Sequence, residues 1–595
     1  MYYAVEESEL TSIANSIRNK TGISSSLVFP NDFIDAVDHL DLDRMLLDRT
    51  FSTYSNSSAT NIGTAAFACY PVTSVSFPNC VNISSYAFAF CPLSSVSMSK
   101  CQYIGPYAFC SCSNLKSINF SQCQYIGSYA FYSCQSISSI TFSRCTEIGE
   151  NAFAYCTSLK QAYFSSCISI GNSAFLSATS LTTIGFSKCV TIGAQAFESC
   201  ASLDAAYFDS CETVGQRAFY NCRHLSRIDF PVCTTIGSSA FANTGTISYY
   251  SLSSAIFPEC ITIETDAFAY CTYLKDISFP KCETIGAGAF RSTAVSLLDF
   301  SLCREIKGNA FQYTKVSILS SFPVCETIRG GAFSSCSYLT YAEFPLCKSI
   351  GGYAFYSCRL LSSVSIPECE YIGNNAFART PLTSVVFLKC SHVDGGAFVS
   401  CSSLTTAIIP SCTKLTGGVF SRCSMLENID MPLCSVIGAQ AFLGTKISSA
   451  VFSLCSLVNA YTFQECSLLT YAEFPICESM EYGAFIACSN LQTAIFPSCS
   501  YIRSSAFSGC NSLSVLSFPQ CNHIESYAFM NCSNLMSVYL MSTSFVEISN
   551  TTFYNTPMAS DYTGTPGSIY VPASMLDDYK SRYNWTSLAS RLVGI

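Results

Sequence analysis

The chain has 595 residues, of which 49% are hydrophobic and only 12% are charged. Its formal net charge is −9, and no run of basic residues occurs, which argues against nucleic acid or an anionic membrane surface as a partner. The mean hydropathy of +0.32 is high for a soluble protein. However, Ser, Gly, Thr or Asn interrupts every apolar run before about 18 residues, so we expect no membrane insertion.

The first 45 residues do not repeat and carry two apolar stripes. Leu10, Ile13 and Ile17 are spaced as on one face of an amphipathic helix, and Pro30 opens a second helical pattern. We expect no Sec signal peptide, because MYYAVEESEL lacks a basic region followed by an apolar one. The stripes exceed what a cap requires, so residues 1–45 are predicted to be a helical module that docks on a larger assembly or on a second copy. A plain cap is the alternative. The candidate docking residues are Leu10, Ile13, Ile17, Phe33, Ile34 and Val37.

A phenylalanine, usually preceded by alanine, recurs 23 times between Phe67 and Phe553, mostly at steps of 21 or 22 residues. A fixed period of this size predicts a repeat solenoid rather than a chain of globular domains. We therefore expect a solenoid of about 23 coils over residues 46–556, with a C-terminal cap over residues 557–595 that is plugged by Trp585.

The coil at residues 115–134, LKSINFSQCQYIGSYAFYSC, shows the chemistry of one repeat. Counted from the leucine, its fourth and sixth residues are Ile118 and Phe120, which predicts a short strand with its third and fifth residues pointing outward. A proline at the seventh position, as at Pro231, is predicted to end the strand. Gly127 is predicted to turn the chain by adopting a backbone conformation that is costly for other residues.

The repeat Leu-x-x-Ile-x-Phe-x-x-Cys, continued by Ile-Gly-x-x-Ala-Phe-x-x-Cys, resembles the BspA-like subfamily of leucine-rich repeats over residues 59–556. The resemblance implies a right-handed superhelix with a parallel β ladder on its concave face, used in adhesion without catalytic residues. The segments ELTSIANSIRNKTG and LVFPNDFIDAV are similar to a short N-terminal module of phage and prophage tail-region proteins. The segment at residues 567–595 resembles the closing segment of BspA-like repeat proteins.

The 38 cysteines fall almost wholly into two columns, at the ninth position of the coil and just after Ala-Phe. Cys110 alone belongs to neither. A long continuous core does not need disulfides, so we expect buried free thiols that pack as small apolar groups. Oxidation is the alternative, because neighbours in a column lie about 5 Å apart. Straight columns do not surround a tetrahedral ion, so no metal is expected.

No catalytic motif is present, and His39, His224, His392 and His523 lie in distant coils. We therefore expect neither an enzyme nor a cofactor. The outward strand face remains, where tyrosine among short polar residues is typical of binding surfaces. The alternative is that Ser and Thr only keep this face soluble. The candidate ligand-binding residues are Tyr163, Tyr207, Asp229, Asp299, Tyr341, Glu343, Asp430, Tyr471, Glu473 and Tyr539.

The first functional hypothesis is a phage virion protein at the tail, made in the bacterial cytoplasm, that contacts a host cell-surface protein or glycan. Residues 1–45 would then bind other tail proteins. A bacterial adhesin displayed outside the cell is the second hypothesis, and an intracellular protein-interaction scaffold is the third.

Overall fold

A computed structural model describes residues 52–246 and 252–595, so the candidate docking residues from Leu10 to Val37 lie outside the described residues. The described chain is a parallel β-solenoid of about 24 turns with very little helix, as predicted. It forms two compact units that divide close to Cys260, and each is described by itself. Unit 1 ends at Cys260 and also contains Tyr270–Leu274, and unit 2 contains Ile261–Ala269 and Lys275–Ile595. In the described part, no helix is long and apolar enough to cross a membrane.

Most coils contain two parallel strands, which we call the first and the second strand. In unit 1 the first strands are Thr53–Ser55, Ser74–Ser76, Ser95–Ser97, Ser117–Asn119, Ser139–Thr141, Gln161–Tyr163, Thr183–Gly185, Ala205–Tyr207, Arg227–Asp229 and Ser254–Ile256. The second strands of unit 1 are Asn61–Ile62, Asn82–Ile83, Tyr103–Ile104, Tyr125–Ile126, Glu147–Ile148, Ser169–Ile170, Thr191–Ile192, Thr213–Val214 and Thr235–Ile236.

Unit 2 continues the same two-strand pattern. Its first strands are Asp276–Ser278, Ile318–Leu319, Tyr341–Glu343, Ser363–Ser365, Ser384–Val386, Thr406–Ile408, Asn428–Asp430, Ser449–Val451, Tyr471–Glu473, Thr493–Ile495, Val515–Ser517 and Ser537–Tyr539. Its second strands are Thr262–Ile263, Thr284–Ile285, Glu305–Ile306, Thr327–Ile328, Ser349–Ile350, Tyr371–Ile372, His392–Val393, Lys414–Leu415, Val436–Ile437, Leu457–Val458, Ser479–Met480, Tyr501–Ile502, His523–Ile524 and Glu547–Ile548.

Strands of successive coils pair in register. Gln161–Tyr163 pairs with the first strands on both sides, and Tyr125–Ile126 does the same among the second strands. The second strands were not predicted. The first strand Arg227–Asp229 ends before Pro231, in agreement with the prediction. First strands end at the same position in coils without proline, as Ser117–Asn119 does, so proline is not needed to end the strand.

Phenylalanine rings form two stacked columns in the interior. Phe131 stacks on Phe109 and Phe153 with centroids 5.1 Å away on either side. It also meets Phe120 of the other column edge-on, at 6.1 Å. Phe219 has no exposed surface, as predicted. Each coil therefore buries its rings against one another and against the rings of the neighbouring coils.

Glycine after the second strand has a different role from the predicted one. Gly149 is not in the left-handed region, where Tyr129 (φ 60°) and Ser133 (φ 58°) lie instead. A Cβ on Gly149 would lie 2.5 Å from the backbone nitrogen of Ser128 in the preceding coil. The prediction of an unusual glycine conformation was therefore wrong, and Gly149 instead allows two backbones to approach closely. Coils such as that of Arg329 carry a side chain at the same position.

The Ala-Phe segment forms a third side of the coil without strands. Its alternate amides donate to the next coil: Tyr129 N to Glu150 O at 2.7 Å and Phe131 N to Ala152 O at 2.8 Å. The amides between them bond within the turn, as Ala130 N does to Gly127 O at 3.2 Å. We call this side the turn side.

Of the 38 cysteines, all but Cys69 are buried, as predicted for the columns. Cys123 donates to Tyr125 O at 3.3 Å, and Cys134 donates to Phe109 O of the preceding coil at 3.0 Å. Where threonine replaces the second cysteine, its hydroxyl donates within its own coil instead, as Thr293 does to Phe290 O at 2.8 Å. The thiols therefore satisfy backbone carbonyls that would otherwise be buried with fewer partners.

The C-terminal segment closes the stack. Its helices are the 3₁₀ helix Ala573–Met575, the α-helix Leu576–Ser581 and the 3₁₀ helix Thr586–Arg591, and its strands are Ser568–Val571 and Leu592–Gly594. Trp585 is fully buried, as expected of a plug, and its indole nitrogen donates to Val546 O at 3.0 Å.

Candidate ligand-binding strand face

The outward third and fifth positions of the first strands form the surface that we call the strand face. Nine of the ten candidate binding residues lie on it; Asp299 is exposed but lies in a coil without an assigned first strand. The nine are Tyr163, Tyr207, Asp229, Tyr341, Glu343, Asp430, Tyr471, Glu473 and Tyr539.

In unit 1 the two tyrosines occupy the fifth position of their strands and remain open to solvent. Tyr163 is 39% exposed and Tyr207 is 49% exposed. A Cβ on Gly185 in the next coil would lie 2.9 Å from Cδ1 of Tyr163, so the glycine leaves room for the tyrosine ring. Tyr207 is the register partner of Asp229. The structure thus brings Tyr207 and Asp229 together, in a strand pair separate from that of Tyr163.

An ion pair beside Tyr207 was missed in the sequence. Arg227 donates to Oδ2 of Asp204 at 2.5 Å, and the Ser226 hydroxyl donates to Oδ1 at 2.8 Å. Although burial opposes it, these two bonds hold the pKa of Asp204 below its usual value. Because Arg227 and Asp229 flank one strand residue, both charges face outward beside Tyr207. This cluster combines an aromatic ring with both signs of charge.

Two strands of unit 2 have the same sequence, in which a tyrosine and a glutamate lie on either side of a buried alanine. Tyr471 donates to Oε2 of Glu473 at 2.6 Å, and this bond raises the pKa of the phenol. Tyr341 and Glu343 occupy the same positions of their strand and are half-buried. Each pair presents an acceptor and a ring edge along one strand.

The fifth position in unit 2 also carries exposed valine and isoleucine, where we expected mainly Ser and Thr. Val386 is 49% exposed, Val451 is 48% exposed and Ile495 is 38% exposed. In register, Ile408 lies between Val386 and Asp430, and Glu473 lies between Val451 and Ile495. We call Val386, Ile408, Val451 and Ile495 the apolar row. Apolar residues interrupted by single acids are suited to contact with a protein surface.

Tyr539 lies at the C-terminal edge of the strand face. Its ring stacks on that of Tyr570 with centroids 4.4 Å apart and an angle of 9° between the planes. Since Tyr570 belongs to the closing segment, the end of the strand face is held by the cap.

A polar cleft of about 480 Å³ lies in unit 2 between the last second strands and the cap. On its wall Glu525 accepts hydrogen bonds from the Tyr501 hydroxyl at 3.0 Å and the Ser504 hydroxyl at 2.9 Å. Although burial opposes it, these bonds hold the pKa of Glu525 below its usual value. The carboxylate of Glu525 is thus already hydrogen-bonded to side chains of the protein itself.

Among the residues that the structure describes, no three His, Cys, Asp or Glu side chains are placed to hold a metal. His392 contacts Oδ1 of Asp394 at 3.0 Å, and His523 contacts Oε2 of Glu547 at 3.2 Å. Each of these two histidines therefore contacts a nearby carboxylate. His39 lies outside the described residues.

Comparison with solved structures finds other leucine-rich repeat proteins. A protein from Bacteroides ovatus ATCC 8483 is 20% identical, with 72% of this chain and 88% of that chain covered and a TM-score of 0.30. A leucine rich cell surface protein from Faecalibacterium prausnitzii A2-165 is 26% identical, with 52% and 83% covered and a TM-score of 0.32. The T. pallidum leucine-rich repeat protein is 24% identical, with 28% and 70% covered and a TM-score of 0.21. No curated protein matches the chain.

Comparison with protein families gives a match over most of the chain. The family described as BspA type leucine rich repeat region matches residues 50–160, 81–204, 146–257, 191–317, 248–360, 348–469 and 456–565. These overlapping segments contain almost all of the two-strand coils. The chain belongs to the BspA-type leucine-rich repeat family.

Proposed function

We propose that this protein is a non-enzymatic attachment protein whose strand face binds a protein or glycan on a host cell surface. Solenoids of this family are typically binding scaffolds, which supports a role in binding or adhesion. The finer assignment is a phage tail protein, mounted on the virion by residues 1–45 through Leu10, Ile13, Ile17, Phe33, Ile34 and Val37. It is supported by the likeness of residues 1–45 to phage tail-region modules.

The observation that carries the binding proposal is the contrast between the inside and the outside of a coil. The fourth and sixth positions repeat the same small set of buried apolar residues, whereas the strand face changes from coil to coil. Tyr207 with Arg227 and Asp229 gives one surface chemistry, and Val386 beside Ile408 gives another. Such variation adds nothing to the core and is what recognition of a specific partner requires.

The apolar row favours a protein over a glycan as the partner of unit 2, because Val and Ile offer no hydrogen bonds to sugar hydroxyls. The full-length protein should therefore bind target cells, and pretreatment of those cells with a protease should abolish binding. Periodate oxidation of cell-surface sugars should leave binding intact. If periodate alone abolishes binding, the ligand is a glycan and the apolar row is not the contact.

Mass spectrometry of purified virions tests the phage assignment. The protein should copurify with tail components after prophage induction in the strain that carries its gene. A surface adhesin is the second candidate, because BspA-like proteins are often found at the cell surface. Labelling of intact, uninduced cells by an antibody against the protein, with none in virions, would establish the adhesin and exclude the tail protein. An intracellular scaffold would label neither.

A further inference from the structure

The corner between the first and the second strand of a coil carries exposed aliphatic residues in unit 2. Leu302 and Leu346 are each 47% exposed, Leu433 is 51% exposed and Ile476 is 46% exposed. They belong to two sets of three successive coils and lie just before the cysteine that precedes the second strand. We call Leu302, Val324 and Leu346 the first corner row, and Leu433, Leu454 and Ile476 the second corner row.

Unit 1 has a different corner. Apart from Val232, its residues at this position are polar or charged: Asn79, Lys100, Gln122, Arg144, Ser166, Lys188, Ser210 and Glu259. The repeat therefore does not require an aliphatic residue at the corner.

The three members of each corner row lie side by side, because their coils pair with one another. The second strands that follow the first corner row pair in register. Beside the second corner row, the Cys455 thiol donates to Cys434 O of the preceding coil at 3.2 Å, and Val451 pairs with Glu473 of the next coil. Since neighbouring parallel strands are about 4.8 Å apart, each row forms a continuous aliphatic strip.

The two corner rows belong to an internal repeat of six coils. The segment LTYAEFPLCKSI at residues 339–350 recurs six coils later as LTYAEFPICESM at residues 469–480, with the same burial at every residue. We call residues 295–401 and 426–532 the first and the second block. Similarity at a fixed offset is the mark of a repeated unit larger than one coil.

Contacts on the second strands show the same offset. The Tyr371 hydroxyl donates to Asp394 in the first block, and the Tyr501 hydroxyl donates to Glu525 at 3.0 Å in the second block. Each tyrosine also stacks on a histidine of the next coil, with ring centroids 5.8 Å and 4.4 Å apart. The repeat of six coils therefore extends from the sequence to the contacts between side chains.

The blocks differ at the residue just after each cysteine and agree at the corner. That next residue changes from Arg304, Glu326 and Lys348 in the first block to Ser435, Ser456 and Glu478 in the second. Both corner rows are nevertheless wholly aliphatic, and both are flanked on the strand face by acids, which are Asp299, Glu343, Asp430 and Glu473. Exposed aliphatic side chains add little to the core, so a shared origin of the blocks does not explain why only these neighbours stay alike.

The flanking acids are available to a cation. Among the residues that the structure describes, Asp299, Glu343 and Asp430 belong to none of the ion pairs of unit 2. Lys348 and Glu478 occupy equivalent places and have opposite charges, so a ligand common to both blocks cannot depend on them. What the blocks share is an aliphatic strip beside carboxylates, which complements a surface with apolar side chains next to Lys or Arg.

We propose that the two corner rows with their flanking acids are equivalent contact sites for one kind of partner protein, whose contact segment combines apolar side chains with Lys or Arg. The six coil steps between the sites span about 29 Å along the stack. A partner that presents this segment twice at that spacing can occupy both sites and bind with higher avidity. That the partner lies on a host cell rests on the proposed function, whereas the existence of two sites does not.

Carbodiimide coupling of a capped Lys-Leu-Leu-Lys peptide to the full-length protein tests the sites without cells, because it joins a bound lysine to a nearby carboxylate. Mass spectrometry should find the coupled peptide mainly at the flanking acids of both blocks. A capped Lys-Ser-Ser-Lys peptide of equal charge should couple there about tenfold less. Equal coupling of the two peptides, or coupling at the acids of one block alone, would overturn the proposal.

Matched substitutions in the two blocks separate the sites. Leu346→Ser should lower peptide coupling at the acids of the first block about tenfold and leave the second block unchanged, and Ile476→Ser should do the reverse. Both side chains are exposed, so the melting temperature should not change. Val232→Ser, which removes the exposed aliphatic corner residue of unit 1, is the control and should alter neither block. Coupling that is unaffected by Leu346→Ser and Ile476→Ser would overturn the proposal.

Attachment to target cells tests the partner. Leu346→Ser and Ile476→Ser should each weaken attachment by a similar factor of about ten, and the double variant should weaken it further. Attachment that depends on one block alone would overturn the proposal. So would a dimer of the wild type, seen by sedimentation, that both variants dissociate, because a second copy of the chain would then be the occupant. If the peptide couples at both blocks but the wild type does not attach to cells, the two sites stand and the proposed function fails.

Discussion

The strand faces of the two units differ although their interiors are alike. In unit 1 the outward positions are mainly Ser and Thr, with Tyr163, Tyr207 and one exposed isoleucine, Ile256, among them. In unit 2 the apolar row and single acids such as Asp430 replace many of them. The interior is similar in both, since the column of phenylalanines from the Ala-Phe segments and the buried thiols run through each unit. The repeat therefore fixes the core, and selection for binding can act on the face without altering the fold.

The largest expected effect is the loss of folding stability at high pH that the buried thiols cause. It tests whether the interiors of the two units are alike. Burial raises the pKa of Cys145 in unit 1 and Cys303 in unit 2 to about 12. Below pH 9 the thiol is protonated in both the folded and the unfolded chain. Above pH 9 only the unfolded chain releases the proton, so stability falls by about 1.4 kcal/mol per pH unit for each such thiol until the folded pKa is reached.

In five coils a hydrogen bond from a neighbouring thiol opposes burial and lowers the pKa instead, at Cys80, Cys336, Cys390, Cys434 and Cys477. Burial raises the pKa of most other thiols, as it does for Cys123 and Cys347, so the losses add up to more than the stability of an ordinary domain. Urea unfolding followed by circular dichroism should therefore show stability near pH 8 and its collapse between pH 9 and 10.5, in both units alike. Equal unfolding midpoints at pH 8 and pH 10.5 would contradict the account of the thiol columns. Alkylation in denaturant without reductant would confirm that the thiols are free before the titration.

A smaller effect tests the phenylalanine columns. Phe219→Ala in unit 1 and Phe485→Ala in unit 2 should each lower the free energy of unfolding by about 3–5 kcal/mol, because both rings are fully buried. Hydrogen exchange should also rise in the coils on either side of the substitution, since each coil depends on its neighbours. If one substitution costs much less than the other, or if the flanking coils keep their protection, the interiors are not equivalent.

The smallest effect separates the two strand faces. Val386→Ser with Val451→Ser should weaken attachment to target cells about tenfold, because each removes an exposed apolar contact worth about 1 kcal/mol at an interface. Ser76→Ala with Ser97→Ala, at the same strand position in unit 1, is the matched control and should leave attachment within a factor of two. Equal loss in both variants would mean that the difference between the faces has no bearing on binding.

The periodic phenylalanines were sufficient to predict the solenoid, and the alternation around Ile118 placed the strand face correctly. The second strand was missed because Tyr125–Ile126 is too short to show an alternation. The role of Gly149 was misjudged because its close contact is with another coil and is invisible within one repeat. The Asp204 and Arg227 pair depends on register between coils for the same reason.

The apolar row could have been predicted from the sequence. Val386, Ile408, Val451 and Ile495 share the fifth position of the coil, so aligning the coils would have placed them on the strand face. The extent of their exposure still depended on what lies in register beside them, as Asp430 does beside Ile408. Surface chemistry in a solenoid is therefore set across coils, whereas the core is set within each one.

The central claim is that the strand face, and not the turn side, carries attachment. It is tested most directly by comparing two tyrosine pairs of similar exposure in the full-length protein. Tyr163→Ser with Tyr207→Ser should weaken cell attachment about tenfold or more without lowering the melting temperature. Tyr353→Ser with Tyr527→Ser, on the turn side, should leave attachment unchanged. Loss of attachment in the second variant but not in the first would contradict the claim and place binding on the turn side.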